Sequence, residues 1–227
     1  MAKQKKNSNY VTEKTTQAKA DREAAIAKEQ NDKKVKIIAI SVGSAVALIA
    51  LIFGILFATG AFDYKPEPTY HATVNFDNGT ALHIELYGND APATVKHFRQ
   101  LCTDGYFNGR TAHSFLEGLV YIGAENADGG DKGIKGEFAD NNYQNNIPMK
   151  KGVVCMARGE GKDSAYGQFF VLTKNDKSLE GQYAAFGRIT DLDSVKELTS
   201  YFVINEDGNV VSGSPKITSV SLHEAHH

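Results

Sequence analysis

The chain has 227 residues, of which 41% are hydrophobic and 23% are charged, a composition typical of folded protein. Its formal net charge of −2 gives no sign of nucleic-acid binding. The charge is uneven, because residues 1–36 carry a balance of +5 and the remainder therefore carries −7. We interpret residues 1–36 as a polar, basic, solvated tail, since they include few large apolar side chains with which to build a core.

The next segment, residues 37–62, contains no charged side chain. An apolar run of about 20 residues is long enough to cross the hydrocarbon core of a bilayer as a helix. A cleaved signal peptide is the alternative, and small residues near the end of the segment are compatible with it. The apolar part of a signal peptide is only about 7–15 residues long, however, and follows a short basic start. We therefore predict a single transmembrane helix over 37–62.

Lysines crowd the N-terminal flank of this segment, whereas the charges on its other flank balance. The positive-inside rule then places residues 1–36 in the cytoplasm and residues 63–227 outside it. Residues 63–69 hold two of the five prolines and predict a stiff linker. The folded domain is therefore predicted to span 70–227.

The domain opens with a hairpin signal, because Asp-Asn-Gly at 77–79 separates two runs of alternating polarity. A helix is predicted from about Pro92 to Gly105, since proline suits the first turn and the apolar residues share one face. Further strands are predicted in TAHSF, LVYIGA, GVVCMA, QFFVLT, AAFGRI and PKITSVSL, with a short helix over about 191–200.

These elements amount to eight strands and two helices, separated by gaps too short for repeated βαβ crossovers. We therefore expect a mainly β domain, with eight mostly antiparallel strands closed into a barrel and capped by two helices. Two cysteines, Cys102 and Cys155, lie in apolar stretches of this domain, and the sequence leaves open whether they form a disulfide bond.

Several patterns that carry other chemistry do not fit. The C-terminal His-Glu-Ala-His-His matches the zinc motif H-E-x-x-H, but it follows a predicted strand, and the motif requires a helix. The glycine-rich segments 129–138 and 158–167 match no phosphate-binding pattern, and there is no nucleophile elbow. His113 and Ser114 are adjacent on a predicted strand, so their side chains point to opposite faces and do not form a catalytic dyad. No metal or other cofactor is therefore predicted.

Four blocks of sequence carry a family resemblance, in the order NDAPATVKHFRQLCTDGYF, GYFNGRTAHSFLEGLVYIGAEN, GVVCMARGEGKDSAYGQFFVLT and SLEGQYAAFGRI. Together they resemble the cyclophilins, and the combination of M-A-R with Q-F-F in the third block is specific. The blocks cover roughly residues 70–222. The resemblance implies a closed eight-stranded barrel that catalyses rotation about X-Pro bonds. This rotation has a barrier of about 18–20 kcal/mol in an ordinary peptide bond.

The resemblance also implies which residues form the site. A donor that hydrogen-bonds the proline nitrogen favours the twisted amide over the planar one, and in this family the donor is an arginine. That position is held here by Ser114, and the second catalytic position is Gln168, which matches the family. The implied peptide-binding positions are His113, Leu119, Val120, Ile122, Phe170, Leu179 and Tyr183.

The missing arginine implies a weakened enzyme, because loss of one preorganised donor costs about 10²–10³ in rate. Arg110 is not a convincing replacement, since four strand residues place it about 13 Å from Ser114. Arg158 belongs to the matched M-A-R block and is ordinary for bacterial members of the family. We therefore expect neither of these two arginines to take over the role.

Three functional hypotheses stay open. The first is a membrane-anchored peptidyl-prolyl isomerase, or foldase, that acts on X-Pro bonds of exported proteins. The second is a binding module that holds proline-containing segments as a chaperone or scaffold, with little turnover. In the third, the tail 1–36 is the functional part and the barrel senses ligands. Proline-containing peptides or exported client proteins are the expected partners, and nucleic acid is not.

Overall fold

The structure is a computed structural model that describes residues 19, 22–23, 25, 27–36, 44, 46–55 and 64–225. The chain divides into two units, Met1–Asp63 and Tyr64–His227. The described residues of the first unit are helical.

The predicted transmembrane helix is not found. Among the residues that the structure describes, no helix combines the length and the apolar character needed to cross a bilayer. Within the predicted span 37–62, only residues 44 and 46–55 are described, and the others lie outside the described residues. The location of residues 63–227 outside the cytoplasm stays a prediction.

The second unit is mainly β, with ten strands and two α-helices in its described residues. They are β1 (Tyr70–Phe76), β2 (Ala81–Leu86), α1 (Pro92–Thr103), β3 (Thr111–Leu116), β4 (Leu119–Gly123), β5 (Val153–Met156), β6 (Gln168–Leu172), β7 (Ala185–Ile189), α2 (Leu192–Ser200), β8 (Val203–Ile204), β9 (Val210–Ser212) and β10 (Ile217–Glu224). Short 3-10 helices lie at Gly130–Lys132, Ala139–Asn141 and Lys177–Leu179. The eight predicted strands and both predicted helices are present, whereas β8 and β9 were not predicted.

Eight strands form one antiparallel sheet in the order β10-β1-β2-β7-β5-β6-β4-β3, and β8 pairs only with β9. The prediction of a closed barrel is wrong, because β10 and β3 are the two edges of this sheet. The sheet is an open half-barrel.

The hairpin β8–β9 gives a physical reason for the open edge. One isolated bridge, Thr111 with Lys216, connects β3 to the residue before β10. Beyond that bridge the edge of β3 is used by the hairpin, where Phe115 N donates to Gly208 O at 2.8 Å. A strand edge that already binds one segment cannot also pair along its length with β10, so the sheet does not close.

Hydrophobic residues pack on both faces of the sheet. On one, which we call the helix face, α1 packs through Val95, Phe98 and Leu101, and α2 through Val195 and Leu198. The opposite face, which we call the loop face, is covered by irregular segments instead of helices. Strand β6 contributes to both, because successive residues of a strand alternate: Phe169 and Val171 lie on the helix face, and Phe170 and Leu172 on the loop face.

A buried carboxylate fixes the start of α1. Glu137, from the segment before the second 3-10 helix, is 2% exposed. Its Oε1 accepts a hydrogen bond from Ala93 N at 2.9 Å, and its Oε2 accepts from Thr94 N at 2.8 Å and from Thr94 Oγ1 at 2.7 Å. The first N–H groups of a helix have no partner within the helix, and the helix dipole favours a negative charge there. Glu137 therefore connects the start of α1 to the segment that begins at residue 137.

The two cysteines are free and buried, so the open question of a disulfide bond is answered. Cys102 lies on the helix face and Cys155 on the loop face, which separates them by the thickness of the sheet. Burial raises the pKa of the Cys102 thiol to about 12 and raises the pKa of Cys155 as well. Both are therefore neutral thiols that pack as small apolar side chains.

Candidate functional site

An aromatic group on the loop face is the centre of the candidate site. The Phe170 ring on β6 is fully buried, with the ring of Tyr121 at 5.5 Å and the ring of Tyr183 edge-on at 5.2 Å between centroids. Leu119 and Leu179 pack in the same cluster. Four of the predicted pocket residues, Leu119, Phe170, Leu179 and Tyr183, are therefore brought together.

Two other predicted pocket residues lie elsewhere. Val120 and Ile122 are fully buried on the helix face, where they pack in the main core. The reason is the alternation of side chains along β4, which turns Leu119 and Tyr121 toward the loop face and their neighbours away from it. On β4 it is therefore Tyr121, which the sequence did not single out, that packs beside Phe170 on the loop face.

Gln168 connects the aromatic group to His113. The Gln168 side chain is 4% exposed, and its Nε2 donates to Ala124 O at 2.6 Å and to Glu125 O at 3.3 Å. The same nitrogen lies 3.1 Å from Nε2 of His113. The amide nitrogen has two hydrogens and three acceptors within reach, and where it bonds His113 the imidazole nitrogen is the acceptor.

The electrostatic surroundings agree with a neutral His113. Burial is the largest influence and lowers its pKa, while the Ala124 carbonyl and the Glu125 carboxylate oppose that effect. The imidazole is thus held as a hydrogen-bond acceptor for Gln168 and is not set up as a cationic donor.

Ser114 pairs with Tyr121 across the β3–β4 ladder, so it lies on the loop face beside the aromatic group. Its hydroxyl donates to Gly208 O at 3.1 Å. Asn209 of the hairpin forms an isolated bridge with Ser114, and residues directly opposite each other project to the same face. An amide side chain therefore lies beside the position where the resemblance implies an arginine. The dipeptide Asp207-Gly208 between two apolar runs is the signal from which this hairpin could have been predicted.

Neither Arg110 nor Arg158, the two arginines considered as substitutes, is bonded to Ser114. The guanidinium of Arg110 stacks 3.9 Å from the centroid of Tyr106, a residue that packs against the helix-face core. Arg158 lies at the rim of the aromatic group, with its guanidinium 5.1 Å from the centroid of Tyr183. Its Nε donates to Gln182 O at 3.0 Å and its Nη1 donates to Gly159 O at 3.0 Å, so its guanidinium is bonded to its own loop and to the segment before Tyr183.

An open cleft borders the aromatic group at Tyr183. Its volume is about 430 Å³, within the range of roughly 300–1,000 Å³ that is usual for ligand pockets. Its walls come from the segments 138–140, 145–149 and 180–181 together with Tyr183. Ile147 and Met149 belong both to these walls and to the loop-face cluster, so the cleft opens directly onto the cluster that contains Phe170.

No group of three or more histidine, cysteine, aspartate or glutamate side chains is placed to hold a metal ion, as far as the described residues extend. The C-terminal histidine motif begins in β10 with His223 and Glu224, and its last residues, 226 and 227, lie outside the described residues.

Comparison with known proteins places this geometry in a family. The family model for cyclophilin type peptidyl-prolyl cis-trans isomerases matches residues 71–222. A peptidyl-prolyl cis-trans isomerase of Arabidopsis thaliana is 30% identical over 163 residues, which cover 70% of this chain and 32% of that protein. This chain thus spans about a third of the length of that relative. Peptidyl-prolyl cis-trans isomerase B of Bacillus subtilis is 30% identical over 135 residues, which cover 57% of this chain and 91% of that protein.

A solved structure shows the same fold. The cyclophilin type peptidyl-prolyl cis-trans isomerase of Cryptosporidium parvum, crystallised in the presence of the dipeptide Ala-Pro, matches with a TM-score of 0.59 at 18% sequence identity. The match covers 68% of this chain and 99% of that chain. The family match extends from β1 into β10 and contains every residue of the aromatic group. The chain therefore belongs to the cyclophilin-type peptidyl-prolyl cis-trans isomerase family.

Proposed function

We propose that this chain is a peptidyl-prolyl cis-trans isomerase that turns over slowly and acts on X-Pro bonds of peptides and of unfolded protein segments. The observation that carries the proposal is the convergence of Phe170, Tyr121 and Tyr183 on one face of the sheet, next to an open cleft and to the buried amide of Gln168. Aromatic rings offer a proline ring an apolar surface, and the amide supports the polar edge of the site. The Ala-Pro dipeptide used with the Cryptosporidium relative is compatible with the same kind of ligand.

The slow rate follows from the residue at position 114. Isomerisation needs no covalent step, so a protein accelerates it by holding the peptide and by donating a hydrogen bond to the nitrogen that loses conjugation. The Ser114 hydroxyl already donates to Gly208 O and is short. We therefore expect a rate about 10²–10³ below that of a site with a preorganised arginine at this position.

A binding module is the second candidate function. It is favoured by the same hydroxyl contact, since a site whose hydroxyl already donates to Gly208 O has no free donor at this position. Such a protein would retain prolyl segments as a chaperone or scaffold. Exported proteins as the clients stay a prediction under either function.

A prolyl isomerisation assay on the full chain separates the two candidates. We expect the parent protein to accelerate cis–trans exchange of an Ala-Pro peptide measurably, and Ser114→Arg to raise kcat/KM by at least about tenfold because the donor is restored. Ser200→Arg on α2 is the matched control, since Ser200 is exposed and bonds only to the Glu197 carbonyl of its own helix.

Two results of this assay would decide against the isomerase. A parent rate equal to buffer, with peptide binding still visible in NMR spectra, would leave the binding module standing. Absence of both binding and acceleration in the parent and in Ser114→Arg would reject the isomerase and the binding module together.

A further inference from the structure

The cleft beside Tyr183 has a charge pattern that prolyl isomerisation does not require. Its charged lining residues are the two carboxylates Asp140 and Glu180, and no cationic side chain lines it. Both carboxylates are exposed at the mouth, on either side of the backbone hydrogen bond from Asp140 N to Gly181 O, which measures 2.9 Å. The mouth of the cleft is therefore negative.

The floor of the cleft, in contrast, is apolar. Phe138, Ile147 and Met149 line it and are 2%, 5% and 3% exposed. Pro148 lies between the last two and is partly exposed. An apolar floor below a negative mouth matches a long aliphatic side chain that ends in a cation, because such side chains bury their stems and keep the charge near water.

The walls are fixed before any ligand binds. Asn145 locks one wall, since its Nδ2 donates to Glu137 O at 3.1 Å and to Ala185 O at 2.8 Å, while its Oδ1 accepts from Ile147 N at 3.2 Å. At Gly181 the φ angle is +78°, and an added Cβ would lie 3.4 Å from the Cβ of Ala139. Glycine adopts this positive φ without strain, and together with the Asn145 hydrogen bonds this backbone geometry defines the cleft before a ligand binds.

Within the part of the chain that the structure describes, neither carboxylate at the mouth forms an ion pair. The nearby ammonium of Lys162 donates to the main-chain oxygen of Asp140, and Arg158 lies over the Phe138 ring and donates to the carbonyl oxygen of Gln182. Ion pairs in the described part of the chain join other residues, and neither Asp140 nor Glu180 takes part in one. Both cations lie close to the cleft, but neither is paired with a carboxylate oxygen of Asp140 or Glu180, so these oxygens can accept from a cationic group of a ligand.

We propose that this cleft binds a lysine or arginine side chain of the same peptide whose proline lies against the aromatic group. The proposal rests on the proposed prolyl-peptide site, because Tyr183 belongs both to the cleft and to the ring contact with Phe170. A peptide that places its proline on one side of Tyr183 has a neighbouring side chain within reach of the other side. The chain would then select prolyl segments with a basic residue close to the proline.

Peptide titration of the full chain tests this selection. The probes are alanine-based peptides with one central proline, in which the two positions on each side are replaced one at a time by lysine or by glutamate. At one position we expect the lysine peptide to bind about fivefold more tightly than the glutamate peptide, the size expected for an exposed ion pair. That ratio falls toward one in the double variant Asp140→Asn/Glu180→Gln and on raising the salt concentration, since salt screens exposed charges.

Glu197→Gln is the matched control, because it removes one exposed carboxylate from α2, and it leaves the ratio unchanged. Equal affinity for lysine and glutamate peptides at all four positions, or a preference that survives in the double variant, would overturn the proposal. Failure of the proposed isomerase function would give another result. The preference for lysine peptides would persist, but no peptide would isomerise faster than in buffer.

Discussion

Gln168 is the residue on which the local geometry of the site depends most. Its buried amide is shared among the carbonyl oxygens of Ala124 and Glu125, just after β4, and Nε2 of His113. With the amide removed, the buried carbonyl oxygen of Ala124 loses its partner, whereas Glu125 O and His113 are partly accessible to water. A buried polar group without a partner costs about 1–3 kcal/mol.

We therefore expect Gln168→Ala to lower the free energy of unfolding by about 2 kcal/mol in urea titration and to reduce isomerase activity with it. The matched control is Gln100→Ala on α1, where an exposed glutamine binds only Asp104. A change of less than about 0.5 kcal/mol in Gln168→Ala, the size usual for exposed positions, would show that this amide does not hold the site.

Protonation of His113, which contacts Gln168, makes the folding stability depend on pH. Burial lowers its pKa below the ordinary value of 6.5, so the unfolded chain binds a proton at a higher pH than the folded one. The unfolded state then binds more protons as the pH falls through 6.5, and stability decreases in that direction. The stabilising contribution is complete above the unfolded pKa and is lost below it.

Urea unfolding at about pH 7.5 and about pH 5.5 measures this contribution. We expect the parent to lose more stability on acidification than His113→Gln does. Burial also lowers the pKa of His97, which remains in both proteins and cancels in the comparison. Equal losses in the two proteins would mean that His113 is not held neutral by the fold.

The structure places some of the residues that the resemblance assigned to the site in one cluster and others on the opposite face of the sheet. Matching motifs located Phe170, Leu179 and Tyr183, which the structure brings into one cluster. The same matching assigned Val120 and Ile122 to the pocket, although motif matching carries no information on which face a strand residue takes. Strand alternation decides the face, and on β4 it placed both on the helix face.

At the level of elements, α1 depends on a contact from far along the chain. Glu137 supplies the hydrogen-bond acceptors for Ala93 N and Thr94 N, because the N-cap residue Ala91 has no side chain that can do so. This cap joins residues more than 40 positions apart, and no local pattern predicts it. The same segment leads into the wall of the cleft at Phe138.

Glu137→Ala leaves two backbone N–H groups without a partner at the buried start of α1, and we expect a loss of about 3 kcal/mol in the free energy of unfolding. Glu197→Ala on the exposed side of α2 serves as the control and changes it by about 0.5 kcal/mol or less. Equal stability of the two variants would contradict the capping role.

For the whole molecule, periodicity and turn signals were sufficient to predict eight strands and two helices. They did not predict that the sheet stays open between β3 and β10. Pairing between β3 and β10 depends on what else contacts β3, and the answer lies in the hairpin of β8 and β9. That hairpin has strands of two and three residues, too short for a period-two pattern. Its loop also contacts the strand that carries Ser114, so the open edge of the sheet coincides with the position at which the resemblance implies an arginine.

The central claim is that the loop face, around Phe170 and the cleft, receives a prolyl peptide. NMR titration of the isotope-labelled full chain with an alanine-based peptide that contains one lysine and one proline tests it most directly. We predict that the largest chemical-shift changes occur in the aromatic group and at the cleft wall, at residues Tyr121, Gln168, Phe170, Tyr183 and 145–149. Changes confined to the helix face or to β10, with none at these residues, would contradict it.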